Sequence, residues 1–119
     1  MKKRIIKQGD IYVCDLFDSL YHEQKGIRPC LVISVDIRND NSDNIFIFPI
    51  THANKKFQPC HFVLRKTDYP FFAYDKNIVL CEEGRSISKK RLGKYLGTIS
   101  SKDIFKILKC KEYVFIEKK

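Results

Sequence analysis

The sequence predicts a mainly β domain, a small barrel or strongly curved sheet of short antiparallel strands finished by one C-terminal helix. Three observations carry this. Short runs rich in β-branched and aromatic residues recur at near-regular spacing between polar breaks. Ser100-Ser101-Lys102-Asp103 then reads as a helix-capping signal, and Ile104, Ile107 and Leu108 fall on one helical face. The chain has 119 residues, 44% of them hydrophobic and 31% charged, which suits one compact domain spanning residues 1–119 and excludes a disordered chain.

The first strand is Asp10 to Phe17, β-branched and aromatic after Gly9, followed by a polar loop to Gly26. Pro29 to Val35 is nearly continuously apolar, the pattern of a strand buried on both faces. Asp36 to Asn44, rich in Asn and Asp, reads as a turn. Ile45 to Ile50 is a third strand, with Pro49 tolerated near an edge or at its end. Cys60 to Arg65 alternates as a half-buried fourth strand, with His61 on its polar phase and therefore expected to be exposed. Ile78 to Glu82 is a short fifth. Ser88 caps a brief helical turn through Leu92, and Tyr95 to Ile99 forms one more strand, weakened by Gly97.

The formal net charge of +9 favours a polyanionic partner: nucleic acid, an anionic surface or an acidic protein. Met1 to Arg4 is basic, but Ile5 and Ile6 alone precede Lys7, so no signal-peptide core follows. Apolar runs such as Ile45 to Phe48 fall far short of the ~18 residues of a membrane span. The five cysteines are odd in number and contain no C-x-x-C pair, so neither a disulfide framework nor a zinc knuckle is expected. The chain reads as cytoplasmic and reduced, with no metal or cofactor and no membrane partner.

Candidate chemistry begins at Gly26-Ile27-Arg28-Pro29. Gly26 frees the backbone, and Pro29 biases Arg28 towards extended geometry at the mouth of a strand. An arginine held there is suited to bind a phosphate bidentately, or simply solvates the strand end. Thr51, where the third strand ends, either donates to an anion or caps a turn. His22 and His52, both in loops, and His61 invite acid–base roles because imidazole titrates near neutrality. Glu82-Glu83 and Asp15-Asp18 are carboxylate pairs, but adjacent strand residues face opposite ways, so they give little support to a carboxylate metal site. Basic clusters at Lys2 to Arg4, Lys55-Lys56, Lys89 to Arg91 and Lys109 to Lys119 interleave with aromatic loop residues, a combination suited to single-stranded RNA.

Taken in order, these motifs resemble the MazF/PemK-type toxin family. Gly9-Asp10-Ile11-Tyr12-Val13-Cys14-Asp15-Leu16 is similar to its opening G-D-[IV]-Y-x-x-D-L, and Glu23 to Ile33 to its E-Q-x-G-x-R-P block. Phe48 to Thr51 resembles its strand ending in [IV]-T, and Pro59 to Val63 its P-x-H-[FV] strand. Ile78 to Leu92 follows its L-x-E-Q-I-R and K-x-R-L segment, so the resemblance spans roughly Gly9 to Leu108.

The resemblance implies an SH3-like barrel with a C-terminal helix, working as a homodimer in a type II toxin–antitoxin system. Its implied activity is metal-independent, sequence-specific cleavage of single-stranded RNA to a 2′,3′-cyclic phosphate and a 5′-hydroxyl, restrained by a cognate acidic antitoxin with which it also binds DNA. It assigns catalysis to Arg28 and Thr51. An arginine stays protonated at neutral pH, so proton transfer is expected from His22 or Glu23. RNA contacts are expected at Phe17, Gln24, Lys25, His52, Lys55, Lys56, Glu83 and Arg85. The chain departs from the family at Glu83-Gly84, where the family has Gln-Ile, and this segment borders the family's RNA groove. Two alternatives belong to other classes: a non-cleaving RNA-binding module, and a CcdB-like toxin acting on DNA gyrase.

Overall fold

The computed structural model describes residues 4–16, 26–53 and 56–117. Seven antiparallel strands, β1 (Asp10–Asp15), β2 (Ile27–Val32), β3 (Asn44–Thr51), β4 (His61–Arg65), β5 (Lys76–Leu80), β6 (Arg85–Ser88) and β7 (Leu92–Thr98), run in the order β4-β5-β3-β2-β1-β7, with β6 also paired to β3. Two helices, α1 (Asp36–Asn41) and α2 (Ser101–Phe115), complete it. The class is the expected one, but among the described residues β4 and β7 do not pair, so the sheet is open rather than closed into a barrel.

Side-chain alternation sorts the sheet into two buried faces. Ile11, Leu31, Phe48, Ile50 and Val79 feed a core that Ile107 of α2 covers. Tyr12, Cys14, Cys30, Val32, Ile45, Ile47 and Ile87 feed the other. β2 therefore contributes to both, as its continuous apolar run predicts. Gly97 lies within β7 where an added Cβ would stand 2.3 Å from the Phe71 ring, so the glycine that weakens the strand also admits its neighbour.

Asp10 ties the N-terminal segment to the sheet. Its carboxylate is fully buried and accepts from Lys7 N at 2.9 Å, Thr98 Oγ1 at 2.7 Å, Tyr12 OH at 3.3 Å and Arg4 at 3.4 Å. A carboxylate so satisfied tolerates burial. Burial, with Asp10 close by, pushes the Tyr12 phenol up to about 12.

Several elements differ from the sequence reading. Asp36–Asn41 is a helical turn rather than an irregular one, because Asn39 turns inward, donates to Ser34 O at 2.9 Å and accepts from the Ser34 hydroxyl. β5 stops at Leu80, and Cys81–Glu83 wind into a 3-10 turn. Cys60 belongs to the turn before β4. His61 is buried, contrary to its expected exposure, because Glu82 meets its ring at 2.7 Å. The caps hold: Ser88 accepts from Lys90 N, and Ser100 from Asp103 N.

The Gly84 departure has a packing reason. A Cβ there would stand 2.7 Å from a Phe48 ring atom and 2.9 Å from one of Phe46, so these rings occupy the space a side chain would fill. Gly84→Ala is expected to destabilise the fold by about 1–3 kcal/mol, measured by urea unfolding. Unchanged stability would show that both rings give way freely.

Candidate active site

Gly26 has a φ of 91°, a left-handed geometry that a residue with a Cβ rarely adopts, and its carbonyl accepts from Leu16 N at 2.8 Å. This turn delivers the chain into β2, where Arg28 sits opposite Cys14 of β1 and is half-buried. The β2–β3 ladder pairs Cys30 with Pro49, Leu31 with Phe48 and Val32 with Ile47. Continued by two residues, the same register sets Arg28 opposite Thr51.

On its other edge β3 changes partners: β6 pairs as far as Ile47, and Ile50 and Thr51 pair with Val79 and Ile78 of β5, with Pro49, which has no N–H to give, between the two. Thr51 is 1% exposed, and its Oγ1 accepts from Ala53 N at 3.1 Å. The structure thus gives Thr51 the turn-capping role, and accepting that bond leaves the hydroxyl's own proton to donate. By alternation Arg28, Thr51 and Arg85 share the face of Cys14, Cys30 and Ile47.

The thiol of Cys30 reports this cluster. A hydrogen bond with Cys14 and burial push it up, while the charges of Arg85 and Arg28 oppose that shift. Both guanidinium groups are therefore close enough to bias the same buried thiol. Arg85 opens β6 opposite Ile47 of β3. Glu83 lies half-buried in the 3-10 turn just before it.

Arg28 also borders a cleft of about 360 Å³ shared with His52, Tyr74 and Asn77. The rings of His52 and Tyr74 stack at 3.7 Å and 4°. Tyr74 is the site residue that sequence reasoning left unassigned; its signal was an aromatic in a polar loop, and it is 52% exposed. The cleft shares Val13 and Ile27 with a groove of about 520 Å³ passing Lys90 and Arg91. That groove continues past Lys90 and Gly93 into one of about 580 Å³ at Arg4, Lys89 and Tyr95.

Other expected residues are not gathered here. Lys56 is exposed and does not line the cleft. Phe17, His22, Glu23, Gln24, Lys25 and Lys55 lie outside the described residues. Away from the cleft, Cys60, His61 and Glu82 are the described residues whose donors converge as metal ligands would.

The His52–Tyr74 stack has a direct signature. Ring current from Tyr74 is expected to move the His52 imidazole protons upfield in the NMR spectrum, and Tyr74→Leu to return them downfield. Identical shifts in both proteins would show that the rings do not stack.

Comparison with known proteins gives the family and the fold. Residues 7–115 match the family model described as PemK-like, MazF-like toxin of type II toxin-antitoxin system. The chain is 32% identical over 105 residues to Endoribonuclease MazF of Staphylococcus epidermidis, covering 87% of this chain and 85% of that protein. Its fold is similar to MazF from Deinococcus radiodurans, with a TM-score of 0.79 at 19% identity over 94% and 97% of the two chains. It is also similar to a mycobacterial endoribonuclease in complex with its cognate antitoxin, with a TM-score of 0.73 at 21% identity over 92% and 93%.

Proposed function

The chain belongs to the PemK-like, MazF-like toxin family of type II toxin–antitoxin systems, and from that premise we propose that it is a cytoplasmic endoribonuclease cutting single-stranded RNA. The observation that supports this reading is the β2–β3 register, which extended by two residues brings Arg28 level with Thr51 on one face. Positive grooves lead away from that cleft past Lys90, Arg91, Arg4 and Lys89, as an RNA backbone requires.

The chemistry is transfer of a phosphoryl bond within the RNA. The ribose 2′-hydroxyl attacks its own adjacent phosphate, the P–O5′ bond breaks, and a 2′,3′-cyclic phosphate and a 5′-hydroxyl result. Negative charge gathers on the phosphorane oxygens in the transition state, where fixed donors act most strongly. Arg28 supplies a forked pair of N–H donors and Thr51 an O–H. His22 or Glu23 takes the 2′-hydroxyl proton, the departing O5′ receives a proton in return, and His52, in the cleft that Arg28 borders, contacts the RNA. The Tyr74 ring, stacked with His52, fixes that imidazole and offers a flat surface to an unstacked base. Glu83, an acceptor where the family has an amide, favours bases presenting amino groups and so tunes the cleavage motif.

The protein works as a homodimer restrained by an acidic antitoxin. A chain with net charge +9 that attracts RNA presents the same grooves to an acidic segment, so the two ligands compete.

Incubation with a long single-stranded RNA in EDTA, followed by mapping of the ends, tests the reading. Specific cuts leaving 5′-hydroxyls are expected. Arg28→Ala should lose about 2.7–4 kcal/mol of transition-state stabilisation, a few hundredfold in rate, with Thr51→Ala also slow and Thr51→Ser largely active. Wild-type rates in Arg28→Ala would refute the assignment; intact RNA with a retained gel shift would favour a binding module, and neither signal a protein target such as gyrase.

A further inference from the structure

We propose that Cys60, His61 and Glu82 form a binding site for a divalent cation of zinc's class, separate from the cleft at Arg28. The three residues are brought together by strand pairing. His61 opens β4 opposite Leu80, the last residue of β5, so the turn that follows β5 carries Glu82 back over the start of β4. Cys60 immediately precedes that start.

The donor atoms all lie within 4.8 Å of one another. His61 Nε2 stands 2.7 Å from one oxygen of Glu82, and Cys60 Sγ 3.7 Å from the other. Zinc bonds of about 2.0–2.3 Å in a tetrahedral arrangement set donors roughly 3.3–3.8 Å apart. The thiol–carboxylate separation already has that value, and the imidazole–carboxylate contact needs to open by less than about 1 Å. One sulfur, one nitrogen and one oxygen donor suit zinc or cobalt and not magnesium or calcium, which take oxygen ligands.

Burial and charge agree with this assignment. Cys60 and His61 are 6% and 3% exposed, whereas the Glu82 side chain is 29% exposed and leaves an approach from solvent with a fourth position for water. A thiolate and a carboxylate together cancel the charge of a divalent ion, so the loaded site is neutral. His61 Nδ1 is buried without a hydrogen-bond partner, while Nε2 faces Glu82 as a ligand atom would. On binding, the thiol proton leaves to solvent and the imidazole proton moves from Nε2 to Nδ1. With no acceptor at Nδ1, the affinity is lower than that of a four-ligand structural site. The bound ion would tie the start of β4 to the Cys81–Glu83 turn, and both elements lie under α2.

The test uses the full chain, stripped with chelator and titrated first with cobalt(II) and then with zinc. One equivalent should bind, with thiolate-to-cobalt charge-transfer absorption, displacement by zinc and a rise in Tm. Cys60→Ser should abolish the charge-transfer band, and Glu82→Gln should weaken binding by about tenfold or more. A folded wild-type chain without that band, or equal affinity in wild type and Glu82→Gln, would overturn the proposal. If Cys60→Ser fails to fold, the wild-type spectrum and Glu82→Gln decide it.

Discussion

The architecture depends on β3 serving three neighbours. Its first half pairs with β6, its middle with β2 and its last two residues with β5. A strand cannot hold two partners on the same edge at one point; on the edge opposite β2, β6 pairs as far as Ile47 and β5 takes over at Ile50, with Pro49 between them. A residue without an N–H costs nothing where no donor is needed, and costs a ladder hydrogen bond almost anywhere else in an inner strand. The end of β3 follows from that arrangement: Thr51, paired with β5, caps the departing chain, and His52 leaves the sheet towards Tyr74.

Two further constraints keep the handover in place. Asp10 fastens the edge strand β7 and the N-terminal segment to β1 through four hydrogen-bonding partners, so the side of the sheet bearing the basic grooves is held by a buried charge rather than by apolar contact alone. On the other side α2 lays Ile107 into the first core and rests on β4 and the Cys81–Glu83 turn. The phenylalanine pair Phe46 and Phe48 then fills the space next to Gly84, which is how this chain accommodates a turn without a side chain at that position.

Strands, caps and the doubly buried β2 were legible in the sequence because each rests on local chemistry: alternation, a serine before a helix, an apolar run. Arg28 and Thr51 were proposed as a pair through the family resemblance, and the β2–β3 register, extended by two residues, is consistent with that pairing. What escaped local reasoning depends on contacts distant in sequence. The Asn- and Asp-rich stretch looked like a turn because nothing in it reveals that Asn39 buries itself against Ser34. His61 looked exposed because its phase is polar, and only the fold brings Glu82, twenty-one residues later, onto its ring. The convergence of Cys60 with the same carboxylate was invisible for the same reason, since spacing rules find metal ligands only when they are close along the chain. Tyr74 was visible as a loop aromatic, but its partner His52 lies across the cleft.

The central proposal is that Arg28 and Thr51 act as one unit on the phosphate. A double-mutant cycle measured by single-turnover RNA cleavage tests it most directly, using Arg28→Ala, Thr51→Ala and the double variant. Groups that stabilise one phosphorane together lose most of their effect when either is removed, so the double variant should be little slower than Arg28→Ala alone. Fully additive losses, with the two effects multiplying in rate, would contradict the account and leave Thr51 as a cap of the turn.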